Sequence, residues 1–199
     1  MPKLSRNSKS RSHPRQEAAD TRTLLIEAAG QAFNTSGFLG TDTNRIARMA
    51  GFAPQTFYRH FADKLDVFLA VYERWRDEES AALANAIKSK PVNGQARAAA
   101  EVLVRHHRDW AIFRRSLRQL ALAEPRVRAA RTAGRERQLD RLAALPENKQ
   151  RSKAELVAAL LTVERLCDAL ADGEPQDLGL SEAHWTVLIA LSVTAARGD

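Results

Sequence analysis

Apolar residues recur at helical spacing along nearly the whole chain, and no segment alternates apolar and polar residues in the way a strand does. The pattern predicts an all-α protein. Within residues 43–64, TNRIARMAGFAPQTFYRHFADK, Ile46, Ala47 and Ala50 make one apolar face. Gly51 then supplies the permissive backbone of a tight corner, and Pro54 opens a second short helix whose inward stripe is Phe57 and Phe61. Two short helices meeting at such a corner form a helix-turn-helix. From Asp63 a longer helix is predicted through Leu65, Phe68, Leu69, Tyr72 and Trp75 toward Ile87, broken over residues 88–95 by Pro91 and Gly94. Further helices are expected over about 96–123, 125–145, 152–172 and 181–197. Pro125, the segment 146–151 and the Gly/Pro-containing loop 172–180 separate them, and Ser181 caps the last.

Projecting the second short helix with Phe57 and Phe61 inward turns Gln55 and Arg59 outward and places Thr56, Tyr58 and His60 on its flanks. Glutamine can bond adenine through two atoms and arginine can do the same to guanine, while hydroxyl, phenol and imidazole groups more often meet phosphate oxygens. Residues 54–60 span roughly 10 Å at a rise of ~1.5 Å each, comparable with a major groove about 12 Å wide. On the first short helix Asn44 and Arg48 point outward, with Thr41 or Asp42 as N-cap. Lys64 follows the expected N-cap Asp63, where the helix dipole disfavours a cation. A nearby phosphate would offset that cost; the plainer alternative is a lysine whose stem packs locally with its head in water. Beside Tyr58 and His60 the phosphate reading is preferred.

Residues 21–75 resemble the DNA-binding domain of the TetR family of transcriptional regulators. The likeness rests on a first helix with Leu24, Leu25, Ala28, Ala32 and Phe33, then Gly37-Phe38, Thr41, Ile46-Ala47, Ala50-Gly51 and Thr56-Phe57-Tyr58-Arg59-His60-Phe61, followed by Lys64, in matching spacing without a gap. By position, the resemblance puts phosphate contacts on Thr41, Thr43, Thr56, Tyr58, His60 and Lys64, and base reading on Asn44, Pro54, Gln55 and Arg59. Ala53 stands where the family usually has a capping serine, and Gln55 replaces a frequent small residue, so no operator sequence carries over. The resemblance further implies a repressor of double-stranded DNA whose C-terminal domain binds a small-molecule effector and dimerises.

Charge agrees with this placement. The 199 residues carry a net charge of +7, and residues 1–64 hold 10 Lys and Arg against 5 Asp and Glu, whereas the remainder holds 21 against 19. The first 19 residues, with Lys3, Arg6, Lys9, Arg11 and Arg15, read as a disordered basic arm, followed by a DNA-binding domain over 20–64 and an effector-binding and dimerisation domain over 65–199. The arm either follows the DNA beside the main contact or merely solubilises the chain. Cys167 is the only cysteine, and there is no secretory signal or apolar run of membrane-spanning length, so the expected location is the cytoplasm without membrane attachment.

The last two helices are apolar over more than one stripe, through Leu156, Val157, Leu160, Leu161, Val163, Leu166 and Leu170 and through Trp185, Val187, Leu188, Ile189, Leu191 and Val193. Such coverage predicts burial on two sides, either in a homodimer closed as a four-helix bundle or in an internal helical hairpin. His106, Trp110 and Phe113, with Phe68, Tyr72 and Trp75, are candidate walls of an effector pocket; the alternative is ordinary core. The Arg-rich stretch from Arg126 to Arg141 reads as a solvated surface. No phosphate loop, zinc-ligand spacing or nucleophile elbow is present, and the neighbours His106 and His107 point too far apart for a metal pair, so neither enzymatic activity nor a metal or cofactor is expected. An effector-free DNA-binding dimer is the remaining alternative.

Overall fold

Local capping and turn chemistry set most of the helix ends. The computed structural model describes residues 14–197. Its helices are α1 (Pro14–Ser36), α2 (Thr43–Met49), α3 (Pro54–Tyr58), α4 (Lys64–Lys88), α5 (Val92–Asp109), α6 (Ala111–Ala123), α7 (Pro125–Ala143), α8 (Lys153–Asp172), α9 (Glu174–Asp177) and α10 (Glu182–Arg197), with a 3-10 turn at Pro146–Asn148. Among the described residues there is no strand, and no helix is long and apolar enough to cross a membrane. Asp42 caps α2 by accepting from the Arg45 N–H at 2.8 Å, and Asp63 caps α4 by accepting from the Asp66 N–H at 2.6 Å. Ser152 and Glu155 form a reciprocal capping box on α8, which ends at Gly173 with φ of 87°.

Three helix boundaries depart from the sequence reading. Pro14 to Ala19, expected in the basic arm, already belong to α1, because proline suits a first turn and Glu17 complements the dipole there; Lys3, Arg6, Lys9 and Arg11 lie outside the described residues. Gly94 falls inside the first turn of α5 instead of breaking it, so the linker after α4 is only residues 89–91. The single helix expected over 96–123 is split at Trp110, whose φ and ψ of −114° and 25° leave the helical region. Tertiary contacts account for that break: the Asn34 side chain of α1 donates to the Asp109 carbonyl at 2.6 Å and accepts from the Phe113 N–H at 3.3 Å. One amide thus satisfies groups at the end of α5 and the start of α6.

Packing joins the helix-turn-helix to the rest of the chain instead of leaving it as a separate bead. A core of Leu25, Ala29, Phe33, Ile46, Phe57 and Phe61 continues without interruption into Phe68, Val71, Phe113, Leu117 and Val127, across the domain boundary expected at residue 64. Leu24, one of the apolar residues of the first helix, is 45% exposed, because the buried face of α1 runs along Leu25, Ala28, Ala29, Ala32 and Phe33. A second core lies between α5, α8 and α10 around Leu103, Cys167, Leu170, Trp185 and Ile189. Burial pushes the Cys167 thiol up, which removes it from nucleophilic chemistry, while His184 is exposed and bonded to Ser181.

Between these cores lies a buried polar network. Arg114 of α6 donates to the Asp168 carboxylate of α8 at 2.6 Å, and His107 of α5 donates from Nε2 to Glu79 of α4 at 3.1 Å. Burial opposes ionisation of both carboxyls, and the adjacent His107, Arg114 and Arg118 outweigh it, holding Asp168 far below the usual carboxylate range and Glu79 below it. The Arg-rich α7 exposes Arg126, Arg128, Arg137 and Arg141 to solvent, while the half-buried Arg131 and Arg135 pair with Glu164 of α8; on the surface Arg137 pairs with Glu73 and Arg126 with Asp63.

Removing one partner of a buried ion pair leaves the other uncompensated, so Asp168→Asn is expected to cost about 3 kcal/mol in urea unfolding at neutral pH. The folded carboxyl titrates far below its unfolded value of about 4, so its contribution is complete above that pH and is lost progressively as pH falls from there toward the folded value. Urea midpoints measured on wild type should therefore fall steadily as the pH is lowered below about 4, and the fall should be smaller in Asp168→Asn.

Candidate functional site

The corner between α2 and α3 is built by Gly51, whose φ of 81° permits a Schellman closure. The Phe52 N–H reaches the Ala47 carbonyl at 2.9 Å and the Gly51 N–H reaches Arg48 at 3.0 Å. No side-chain cap holds α3, as Ala53 implied; Pro54 and the fully buried Phe57 hold it instead. Phe57 packs on Phe61 at 5.5 Å between ring centroids, and the Arg22 guanidinium of α1 lies 4.9 Å from the Phe61 ring. The short α3 is therefore anchored on its inner face by aromatic rings.

Its outer face presents Gln55, Tyr58 and Arg59 to solvent, with Asn44 and Arg48 exposed alongside on α2 and Thr43, Pro54, Thr56 and His60 half-buried. Among the described residues no hydrogen bond or ion pair restrains the side chain of Gln55 or of Arg59. Tyr58 and Thr43 share a hydrogen bond of 3.0 Å between their hydroxyls, which ties the two short helices together across the corner. Each oxygen retains capacity for a further partner.

Two of the expected phosphate contacts are used inside the fold. Thr41 is only 3% exposed, and its hydroxyl donates to the Gly37 carbonyl at 2.9 Å, with the Ala32 carbonyl at 3.2 Å. Lys64 donates from Nζ to the carbonyls of Phe38 and Thr41, both at 2.9 Å, with its ammonium 4.2 Å from the centre of the Phe38 ring. Burial lowers its pKa, opposed by the Asp42 carboxylate. Two of the three ammonium donors of this half-buried lysine are thus spent inside the fold. It offsets the unfavourable dipole at the start of α4 by clasping the turn between α1 and α2, which a linear sequence does not place nearby.

The aromatic residues proposed for an effector pocket divide into separate environments. Phe68 and Phe113 are fully buried core, 4.8 Å apart. Trp110 is half-buried, packs against Phe113 at 5.5 Å and against α1 at Gly30, and lines a separate surface groove with Ile26, Asn34 and Val71. His106 stacks on Trp75 at 4.8 Å and bonds its backbone carbonyl. Only Tyr72 and Trp75 line an interior cavity, together with Arg76, Glu79, His107 and Arg114. The missed charged residues had a readable signal: Arg76 and Glu79 continue the 3–4 spacing of the buried stripe Phe68, Tyr72 and Trp75 on α4.

Known proteins share both the local motif and the whole fold. Residues 25–71 match the family described as bacterial regulatory proteins, tetR family. The chain is 36% identical over 59 residues to the HTH-type transcriptional regulator AcrR of Shigella flexneri, a match covering 30% of this chain and 27% of that one. It is 40% identical over 60 residues to the HTH-type transcriptional repressor BepR of Brucella suis, covering 30% and 29%. The matched segment spans less than a third of either relative. Over the whole fold, a putative TetR-family regulator from a Rhodococcus species superposes with a TM-score of 0.71 at 16% identity, covering 90% of this chain and 99% of that one. Salmonella enterica GusR does so at 0.69 and 15%, covering 96% and 100%.

Charged hydrogen bonds to the two carbonyls make Lys64 a stability residue. Lys64→Met is expected to lose about 2 kcal/mol by urea denaturation, within the range for hydrogen bonds to charged groups. An unchanged urea midpoint would return this lysine to the surface role.

Proposed function

We propose that this chain, which belongs to the TetR family of transcriptional regulators, works as a two-fold dimer that binds a near-palindromic operator and represses transcription until a small ligand in its C-terminal helices releases it. The observation that carries the DNA-reading part is the contrast across α3: Phe57 is fully buried while Gln55 and Arg59 project unrestrained into solvent. Gln55 and Arg59 read bases, with Asn44 and Pro54 beside them. Thr43, Thr56, Tyr58 and His60 hold the phosphates on either side.

The dimer reading rests on a second pattern. α10 buries Trp185, Ile189 and Val193 against the core but leaves His184, Leu188, Leu191 and Ala195 in an exposed stripe at helical spacing. α8, packed beside it, exposes Ala154, Ala158, Leu161 and Arg165 in the same way. Two adjacent stripes, apolar except for Arg165 and His184 at their ends, close on their symmetry mates as a four-helix bundle. Such a dimer presents two copies of α3 to half-sites about one DNA turn apart, roughly 34 to 36 Å.

Release of DNA follows from the continuity of α4. Its first turn grips the α1–α2 turn through Lys64, and its N-cap Asp63 accepts from Arg126 of α7 at 3.0 Å. A ligand that shifts α4 against α7 and α8 alters the spacing of the two reading heads. By linkage that ligand binds less tightly to the DNA-bound form.

Operator selection from random duplexes tests the base readers: Gln55→Ala should relax preference at one base per half-site by about 1 to 3 kcal/mol, and an unchanged selected motif would overturn its assignment. Leu191→Glu should convert a sedimenting species of twice the 22.1 kDa chain mass into a monomer and weaken operator retention with it. A wild-type chain that sediments as a monomer at micromolar concentration would remove the dimer.

A further inference from the structure

We infer that the effector is an amphipathic monocarboxylate whose carboxylate is held by Arg76, an identification that rests on the ligand-responsive reading above and sharpens it. Arg76 lies on α4, is 7% exposed, and its Nη1 is buried without a hydrogen-bond partner. No carboxylate lies within ion-pair distance of it among the described residues, whereas the neighbouring buried charges are paired, Arg114 with Asp168, His107 with Glu79 and Arg135 with Glu164. The Trp75 indole N–H, on a ring lining the same inner cavity, is also buried without an acceptor. A buried cation beside an idle donor costs stability unless an anion completes it.

The shape of the space fits such an anion. The inner cavity has about 30 Å³ of free space and adjoins a larger one of about 410 Å³, the two sharing Arg76, Glu79, Leu103, Gln138, Leu160 and Val163 in their walls. The inner end has room for the two oxygens of a carboxylate, each comparable with a water molecule. The larger space is walled mainly by aliphatic side chains, including Leu83, Ile87, Leu142 and Val193, and suits an alkyl or aryl tail. Arg141, exposed at its edge, bonds the neutral Ser80 hydroxyl and adds positive potential. A planar guanidinium favours a carboxylate over a spherical ion because both oxygens can be bonded together.

Gly134 of α7 belongs to the same device. A Cβ at that position would lie 1.6 Å from Arg76 Nη1, so the absence of a side chain on α7 is what lets the guanidinium occupy its place. Arg76 stands 12 residues after Lys64 on α4, roughly 18 Å along the axis at ~1.5 Å per residue. A carboxylate drawn to Arg76 therefore acts on the helix that supports the DNA-reading end.

Thermal unfolding and tryptophan fluorescence of the full-length protein, with Trp75 as reporter, test this using octanoate, decanoate and phenylbutyrate against their primary amides and the corresponding amines. The carboxylates are expected to raise the midpoint and to bind at least tenfold more tightly than the amides. Arg76→Met should leave the ligand-free midpoint unchanged or higher and abolish that preference. Gly134→Ala, which displaces only the end of a flexible side chain, should weaken the carboxylates and spare the amides. Amides or amines that bind as well as the acids, or a carboxylate preference that survives Arg76→Met, would overturn the assignment. Operator retention by the ligand-free protein is read separately: retention without carboxylate binding refutes this inference alone, while carboxylate binding that leaves retention unchanged keeps the Arg76 site but overturns the effector role and ligand release together.

Discussion

Phe68 is the contact on which the arrangement depends. Its ring meets Phe33 of α1 at 5.1 Å, Phe38 of the following turn at 5.3 Å and Phe113 of α6 at 4.8 Å. Two segments far apart in the chain, α1 with its following turn and α6, are thereby fixed to one position on α4, edge-on or tilted as aromatic quadrupoles prefer. Lys64, one turn earlier, adds directional bonds to the same turn. The helix-turn-helix is thus mounted on α4 and α6, and its orientation follows that of the strut beneath it.

That mounting gives the interior charges their significance. The polar layer between α4, α5, α6 and α8 is mostly paired, and a paired layer adds geometric definition more than net stability, because desolvation consumes much of the Coulombic gain. Arg76 departs from this balance: it lies on the same helix, one residue past Trp75, with a glycine opposite making room for it. An unmatched buried cation next to an apolar chamber marks a position where the fold has given up stability, and binding is the physical reason such a position is worth keeping.

How far the sequence could be read depends on the range of the forces involved. Gly51, Asp42, Asp63 and Ser152 act within a few residues, so corner and caps were legible from composition and spacing. The outward placement of Gln55 and Arg59 follows from helical projection against Phe57 and Phe61. The internal partners of Thr41 and Lys64, Ala32 and Phe38 among them, were not legible because only the path of the chain brings them together. The helix break at Trp110 carries no glycine or proline, since Asn34 of α1 supplies the bonds that make it tolerable. The aromatic stripe read as one pocket became core at Phe68 and Phe113, the half-buried wall of a surface groove at Trp110 and cavity wall at Tyr72 and Trp75, a division that depends on which neighbours arrive.

By itself the sequence determined the helical class, the two-helix corner with its exposed and buried faces, and the double-sided apolar character of the last two long helices, because helical periodicity and capping operate between residues three or four apart. Only the tertiary structure decided that one core crosses residue 64, that Lys64 clasps a turn, and that Arg76 is left without a counter-charge. Each of those depends on which groups from distant segments come to share a low-dielectric interior, and neither spacing nor composition encodes that meeting.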